Sequence, residues 1–146
     1  MPLLSVFARS AAAGVALLLS LAFASVASAA DVAREWVGAY GYEDGREAVY
    51  FELQLTRKGN SLSGHIVETQ TFGTRSADGT LKAAVSGSIK GHVVTFTKTY
   101  DGTGGQRHSV TYRGTLVSEG EAMFMFGTWR IGADVGSWFA TVPSND

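Results

Sequence analysis

The sequence predicts an all-β protein: an eight-stranded antiparallel up-and-down barrel that follows an N-terminal signal peptide. Three observations carry this. Apolar and polar residues alternate in segments of six to nine residues after position 30. Each segment closes on a glycine-rich turn signal, and the chain holds 18 glycines but 2 prolines. The connections are too short for crossover helices, which forces consecutive strands to pair antiparallel.

The chain divides into residues 1–30, a signal peptide, and residues 31–146, a single barrel domain. Arg9 gives a weakly positive start, and "AAAGVALLLSLAFA" (Ala11–Ala24) is an apolar run of signal-peptide length. "ASA" (Ala27–Ala29) supplies small residues for cleavage after Ala29 or Ala30, and favours cleavage over retention as a membrane anchor. The mature chain is therefore expected to be secreted or periplasmic, with no membrane association after cleavage. Charge is balanced at 12 Lys+Arg against 13 Asp+Glu, with no basic stripe for nucleic acid. The absence of cysteine excludes disulfides, thiol catalysis and cysteine-ligated metals.

The strands follow in order. "WVGAYGY" (Trp36–Tyr42) precedes "EDG". "AVYFELQLT" (Ala48–Thr56) alternates Val49, Phe51, Leu53 and Leu55 against polar neighbours and precedes "RKGNS". "LSGHIVET" (Leu62–Thr69) runs into a longer loop, "QTFGTRSADG". "LKAAVSGSI" (Leu81–Ile89), "HVVTFTKTY" (His92–Tyr100), "HSVTYRGTL" (His108–Leu116), "MFMFGTWRI" (Met123–Ile131) and "SWFATV" (Ser137–Val142) complete the set. Eight sequential strands suffice to close a barrel and remove its edges.

Catalytic signatures are missing from this pattern. "FTKTYDGTGG" (Phe96–Gly105) places its lysine before the glycines and a strand after them, so it reads as a turn and not as a phosphate loop. His65, His92 and His108 fall on different strand ends or faces and do not converge as metal ligands. Glu43, Asp44 and Glu47 crowd one solvated turn. No nucleophile elbow or zinc-protease helix is present. The expectation is a non-enzyme with no cofactor.

Strand parity is more informative. The expected inward set includes Trp36, Tyr40, Tyr42, Glu68, Phe96, Lys98, Tyr112 and Trp129, which form the candidate ligand-binding residues. A carboxylate and an ammonium are costly in a dry core, so Glu68 and Lys98 should reach a wet mouth, pair with each other, or meet a ligand. The expected ligand is small and hydrophobic or aromatic. The alternative is an inhibitor-like protein-interaction module with a filled core. Outside, Phe124, Phe126, Trp138 and Val142 are expected to form an apolar interface patch, with Phe139 turned inward, and hence a homo-oligomer.

"NSLSGHIVET", "VVTFTKTY", "HSVTYRGTLVSEGEAMFMFGTWRI" and "SWFATV" resemble successive strands of the avidin–streptavidin barrel family, with lipocalin-like barrels as a second analogue. The resemblance implies a secreted eight-stranded barrel with a biotin site at one open end, assembled as a dimer or tetramer. Phe96, Tyr112 and Trp129 stand where the family has pocket tryptophans, and Trp129 retains the type. Gly38 replaces an asparagine, and Ile66 and Glu68 replace a tyrosine and a serine. Asp146 matches the spacing of a pocket aspartate after Trp138. With the polar partners changed, the resemblance implies the barrel and leaves the ligand unassigned.

Overall fold

A computed structural model describes residues 32–144. The expected signal peptide, its cleavage point and Asp146 lie outside the described residues. Eight strands form: β1 (Glu35–Tyr42), β2 (Val49–Lys58), β3 (Ser61–Thr69), β4 (Thr80–Lys90), β5 (Val93–Tyr100), β6 (Ser109–Glu119), β7 (Ala122–Ile131) and β8 (Asp134–Thr141). Each pairs antiparallel with the next, and β8 returns to pair with β1, so the sheet closes as an up-and-down barrel. Among the described residues no helix is long and apolar enough to cross a membrane.

Turn chemistry sets the register. Gly59, Gly91, Gly120 and Gly132 each open a two-residue hairpin with φ between 56° and 61°, and among the described residues no non-glycine residue has positive φ. A positive-φ glycine first and a negative-φ residue second is the pattern of a type II′ turn, whose twist matches that of the strands. Three of these hairpins join β2–β3, β4–β5 and β6–β7 and make one end of the barrel tight. The other end carries the longer β1–β2, β3–β4 and β5–β6 connections together with the short β7–β8 hairpin. "DGTGG" lies there as a short 3₁₀ turn, Thr103–Gly105. Asp101 accepts from the Thr103 backbone N–H at 2.9 Å and from its hydroxyl. These bonds shape the turn.

Inside, alternation delivers Trp36, Tyr40, Phe51, Leu53, Ile66, Val94, Phe96, Val110, Tyr112, Met125 and Trp129 to one core. Glycines on the inward parity give the aromatic rings room. A Cβ at Gly114 would lie 2.6 Å from Cζ2 of Trp138. The tight end is sealed by the segment before β1: Val32 is fully buried, and the Trp36 indole donates to its carbonyl at 3.1 Å.

The eighth strand corrects one expectation. Trp138 is 3% exposed and Phe139 is 52% exposed, the reverse of the expected parity. The Trp138 indole N–H donates to the carbonyls of Arg113 and Thr128, both at 3.2 Å, and its ring packs edge-on against Phe96 and Tyr112. Val142 is half-buried against the core and does not extend an outer patch. Phe124 and Phe126 do face outward.

Candidate functional site

The loop-rich half of the barrel interior contains a polar cluster ringed by aromatics. Glu68 comes from the end of β3, Lys98 and Tyr100 from the end of β5, and Tyr40 from the end of β1. These strand ends converge because β1, β3 and β5 all run toward the same end. Lys98 Nζ donates to Glu68 Oε2 at 2.7 Å and to the Tyr100 hydroxyl at 2.8 Å. Tyr100 donates to Glu68 Oε1 at 2.5 Å, and Tyr40 donates to the same oxygen at 3.1 Å. Carboxylate, ammonium and phenol thus form a closed triangle, with a second phenol attached.

The surroundings favour a cation at the centre. The Lys98 ammonium lies 4.5 Å from the Tyr40 ring centroid, 4.6 Å from that of Tyr100 and 5.5 Å from that of Tyr112. Ring faces attract a desolvated cation and replace part of its lost hydration. Burial lowers the pKa of Lys98, while the charge and hydrogen bond of Glu68 oppose that shift. Burial first, and then the Glu68 charge, raise the pKa values of Tyr40, Tyr100 and Tyr112 well above the ordinary phenol range.

The cluster is also covered. Phe72, from the loop between β3 and β4, packs edge-on to Tyr100 at 5.8 Å, and His108 lies 4.6 Å from the Tyr100 ring. One side chain shapes that loop. Gln70 donates to the carbonyls of Phe72 and Thr74, and accepts from the backbone N–H and hydroxyl of Ser76. The Thr74 N–H donates to Gly104 O at 2.8 Å and ties the loop to the β5–β6 turn.

The expected ligand-binding residues therefore divide. Tyr40, Glu68, Lys98 and Tyr112 come together. Trp129 joins them through Tyr40, with ring centroids 6.1 Å apart. Tyr42 meets Trp129 at 5.3 Å near the rim, where Arg46 covers its outer side at 3.8 Å. Phe96 stacks on Tyr112 with centroids 4.8 Å apart. Trp36 sits at the tight end and does not share the cluster. Of the three fates open to Glu68 and Lys98, the structure gives mutual pairing in the interior, with each 1% exposed. Tyr100 was not among the expected residues, although it shares Lys98's parity and could have been found by it. Phe72 and Gln70 sit in a loop where periodicity gives no signal.

This arrangement is chemically self-contained. Among the described residues no buried side-chain nitrogen or oxygen lacks a hydrogen-bond partner. No group of three or more His, Asp and Glu side chains converges there as a metal set. The histidines stay apart: the carbonyl of His92 accepts from Leu116 at the tight end, and that of His108 from Tyr100 at the other. No known family model and no curated protein matches this sequence. The closed barrel itself is of the class that includes avidin-like and lipocalin-like proteins.

Proposed function

We propose that the chain is a non-catalytic, secreted or periplasmic barrel that acts through its outer surface, as a protein-interaction module with a filled core. One observation carries this reading. Tyr40, Glu68, Phe96, Lys98, Tyr112 and Trp129 are all buried, each no more than 4% exposed, and they pack on one another across the lumen. Barrels of eight strands either fill with side chains or hold one ligand. Here the aromatic rings and the Glu68–Lys98 pair fill the space. A ligand would have to displace bonds that already satisfy every polar atom.

Binding-type chemistry is then left to the exterior, where Phe124, Phe126, Phe139, Tyr50 and Val37 are exposed. Large apolar groups clustered on a surface mark contact sites. The secretory expectation from residues 1–30 fits a module that meets its partner outside the cytoplasm.

The covering loop favours a second reading. If the Phe72 loop lifts, Tyr100, Lys98 and Glu68 become a ready polar floor for a small aromatic or hydrophobic ligand. Native mass spectrometry of the naturally secreted protein, joined to a thermal-shift screen that includes biotin, separates the two. Empty protein with no saturable shift is the expected result. A bound small molecule, or a shift abolished by Glu68→Gln, overturns the filled-core reading.

A further inference from the structure

We propose that the outer face of β8 and β1 is an isologous homodimer interface in which Phe139 of each subunit occupies the trough over β1 of the other. The proposal rests on the outward-acting reading above and names its partner, a second copy of this chain.

The face is built by register. Thr115, Phe126, Phe139, Ala39 and Tyr50 lie side by side on β6, β7, β8, β1 and β2, each the direct partner of the next. Phe124, Thr141 and Val37 form the adjoining row. The outer side of β4, β5 and β6 is different in kind, with Ser86, Thr97 and Thr111 directly paired across it. The barrel therefore has an aromatic side and a hydroxyl side.

Shape sets the mode of association. Over β1 the outward residues are small: Ala39 is buried between its strand partners Phe139 and Tyr50, and Val37 stays open. The result is a trough of about 600 Å³ that begins beside Phe139, runs over Val37 and Gly38, and continues past Tyr50 to Val67 and Thr80. A ridge, Phe139, stands directly beside this trough on the neighbouring strand. A ridge adjacent to a matching hollow on one face is self-complementary under a two-fold axis running between them: each ridge enters the other subunit's hollow. Because ridge and hollow are on adjacent strands, the contact stays close to the axis, as two convex barrels require. The closed barrel leaves no strand edge for a partner to extend, so face packing is the available route.

The area agrees. Phe124 is 39% exposed, Phe126 and Phe139 52% each, Tyr50 67% and Val37 36%. At about 200 Å² for a full aromatic side chain, they offer on the order of 500 Å² of apolar surface. A standard interface takes about 800 Å² from each partner, and in homodimers about 65% of it is apolar. The face thus supplies the apolar core of one dimer contact.

Sedimentation of the mature chain at high micromolar concentration tests this. The expected result is a dimer that Phe139→Lys weakens by about thirtyfold or more, as for a central interface anchor. Circular dichroism of that variant should match the wild type, since the ring is outside. Tyr50→Lys, at a second residue that lines the trough, should weaken the dimer if Phe139→Lys fails to fold. Thr97→Lys, on the hydroxyl side, should leave it intact. A wild type that stays monomeric while its lumen remains closed to ligands overturns the dimer and spares the outward-acting reading. A dimer indifferent to both Phe139→Lys and Tyr50→Lys overturns this interface. A lumen ligand found in the thermal screen overturns the underlying reading instead.

Discussion

Lys98 Nζ and Glu68 Oε2 lie 2.7 Å apart, and both side chains are 1% exposed. Taking two charges out of water costs several kcal/mol each, which their attraction offsets only with good geometry and further hydrogen bonds. Tyr40 and Tyr100 provide those bonds. The pair is therefore expected to be strongly coupled and its members unequal. Lys98→Met leaves a buried carboxylate without its cation and should cost about 3–5 kcal/mol in urea unfolding. Glu68→Leu should cost less, because the lysine, its pKa already lowered by burial, can shed its proton. The double variant should cost less than the sum of the singles by about 1 kcal/mol or more. Additive losses would show that the pair contributes no mutual stabilisation.

The three buried phenols predict how stability depends on pH. In the unfolded chain tyrosine loses its proton near pH 10, whereas Tyr40, Tyr100 and Tyr112 hold theirs well above that in the folded barrel. The folded state then binds more protons, so this stability is present below about pH 10 and is lost as pH rises. Three groups give a slope of up to about 4 kcal/mol per pH unit. Lys98 has the opposite sign, since its lowered pKa makes the unfolded state the better proton binder, but its window closes near pH 10.5, the ordinary lysine value. Urea midpoints should fall steeply above that point. Absorbance titration should show these phenols ionising only together with unfolding; early tyrosinate formation in folded protein would refute the arrangement.

A methyl group at Gly136 is expected to break a specific contact. The Trp129 indole N–H donates to Gly41 O at 2.9 Å, and a Cβ at Gly136 would fall 2.1 Å from that oxygen and 2.3 Å from the indole nitrogen. Gly136→Ala should cost about 1–3 kcal/mol as overpacking and shift the tryptophan emission. Gly41→Ala is the paired control, because its Cβ would meet only Ser137 Oγ at 4.0 Å. It should change stability by no more than about 0.5 kcal/mol. Equal effects at the two positions would mean that the Trp129 contact is not what the glycine protects.

The fold was legible because each local signal agreed with the next. Alternation fixed the inward set from Trp36 to Trp129, and glycine turns fixed the strand order. The same logic failed at "SWFATV", where Trp138 and Phe139 are adjacent and alternation accepts either one inside. What decides is remote in sequence: Gly114 leaves space for the indole, and Arg113 and Thr128 offer it carbonyls. Neither is visible in a six-residue window. Glu68 and Lys98 were found by their parity, but their mutual contact depends on three strand ends meeting, with Tyr100 supplied by the third turn of the same alternation. Phe72 was out of reach, since a loop has no period and its position comes from the bonds of Gln70.

Those bonds yield the last prediction. Gln70 holds the Phe72 and Thr74 carbonyls at 3.0 and 2.7 Å and receives the Ser76 N–H and hydroxyl at 2.8 and 3.0 Å. At the base of the loop its own backbone N–H donates to Gly79 O at 2.9 Å, which Gln70→Ala would keep. The substitution removes the four side-chain bonds and spares the strands. Arg75, exposed in the middle of the loop, is then a reporter, because trypsin cleaves only a segment that can leave the surface. Gln70→Ala should raise the cleavage rate at Arg75 by about tenfold, the effect of roughly 1.4 kcal/mol on local opening. The urea midpoint should move little, since Phe72 is only half-buried and the barrel does not depend on it. An unchanged cleavage rate would assign the loop's order to the Thr74–Gly104 tie and to the packing of Phe72 on Tyr100. Faster cleavage together with a newly acquired small-molecule thermal shift would show that this loop, and not the filling of the lumen, keeps ligands from Lys98 and Glu68.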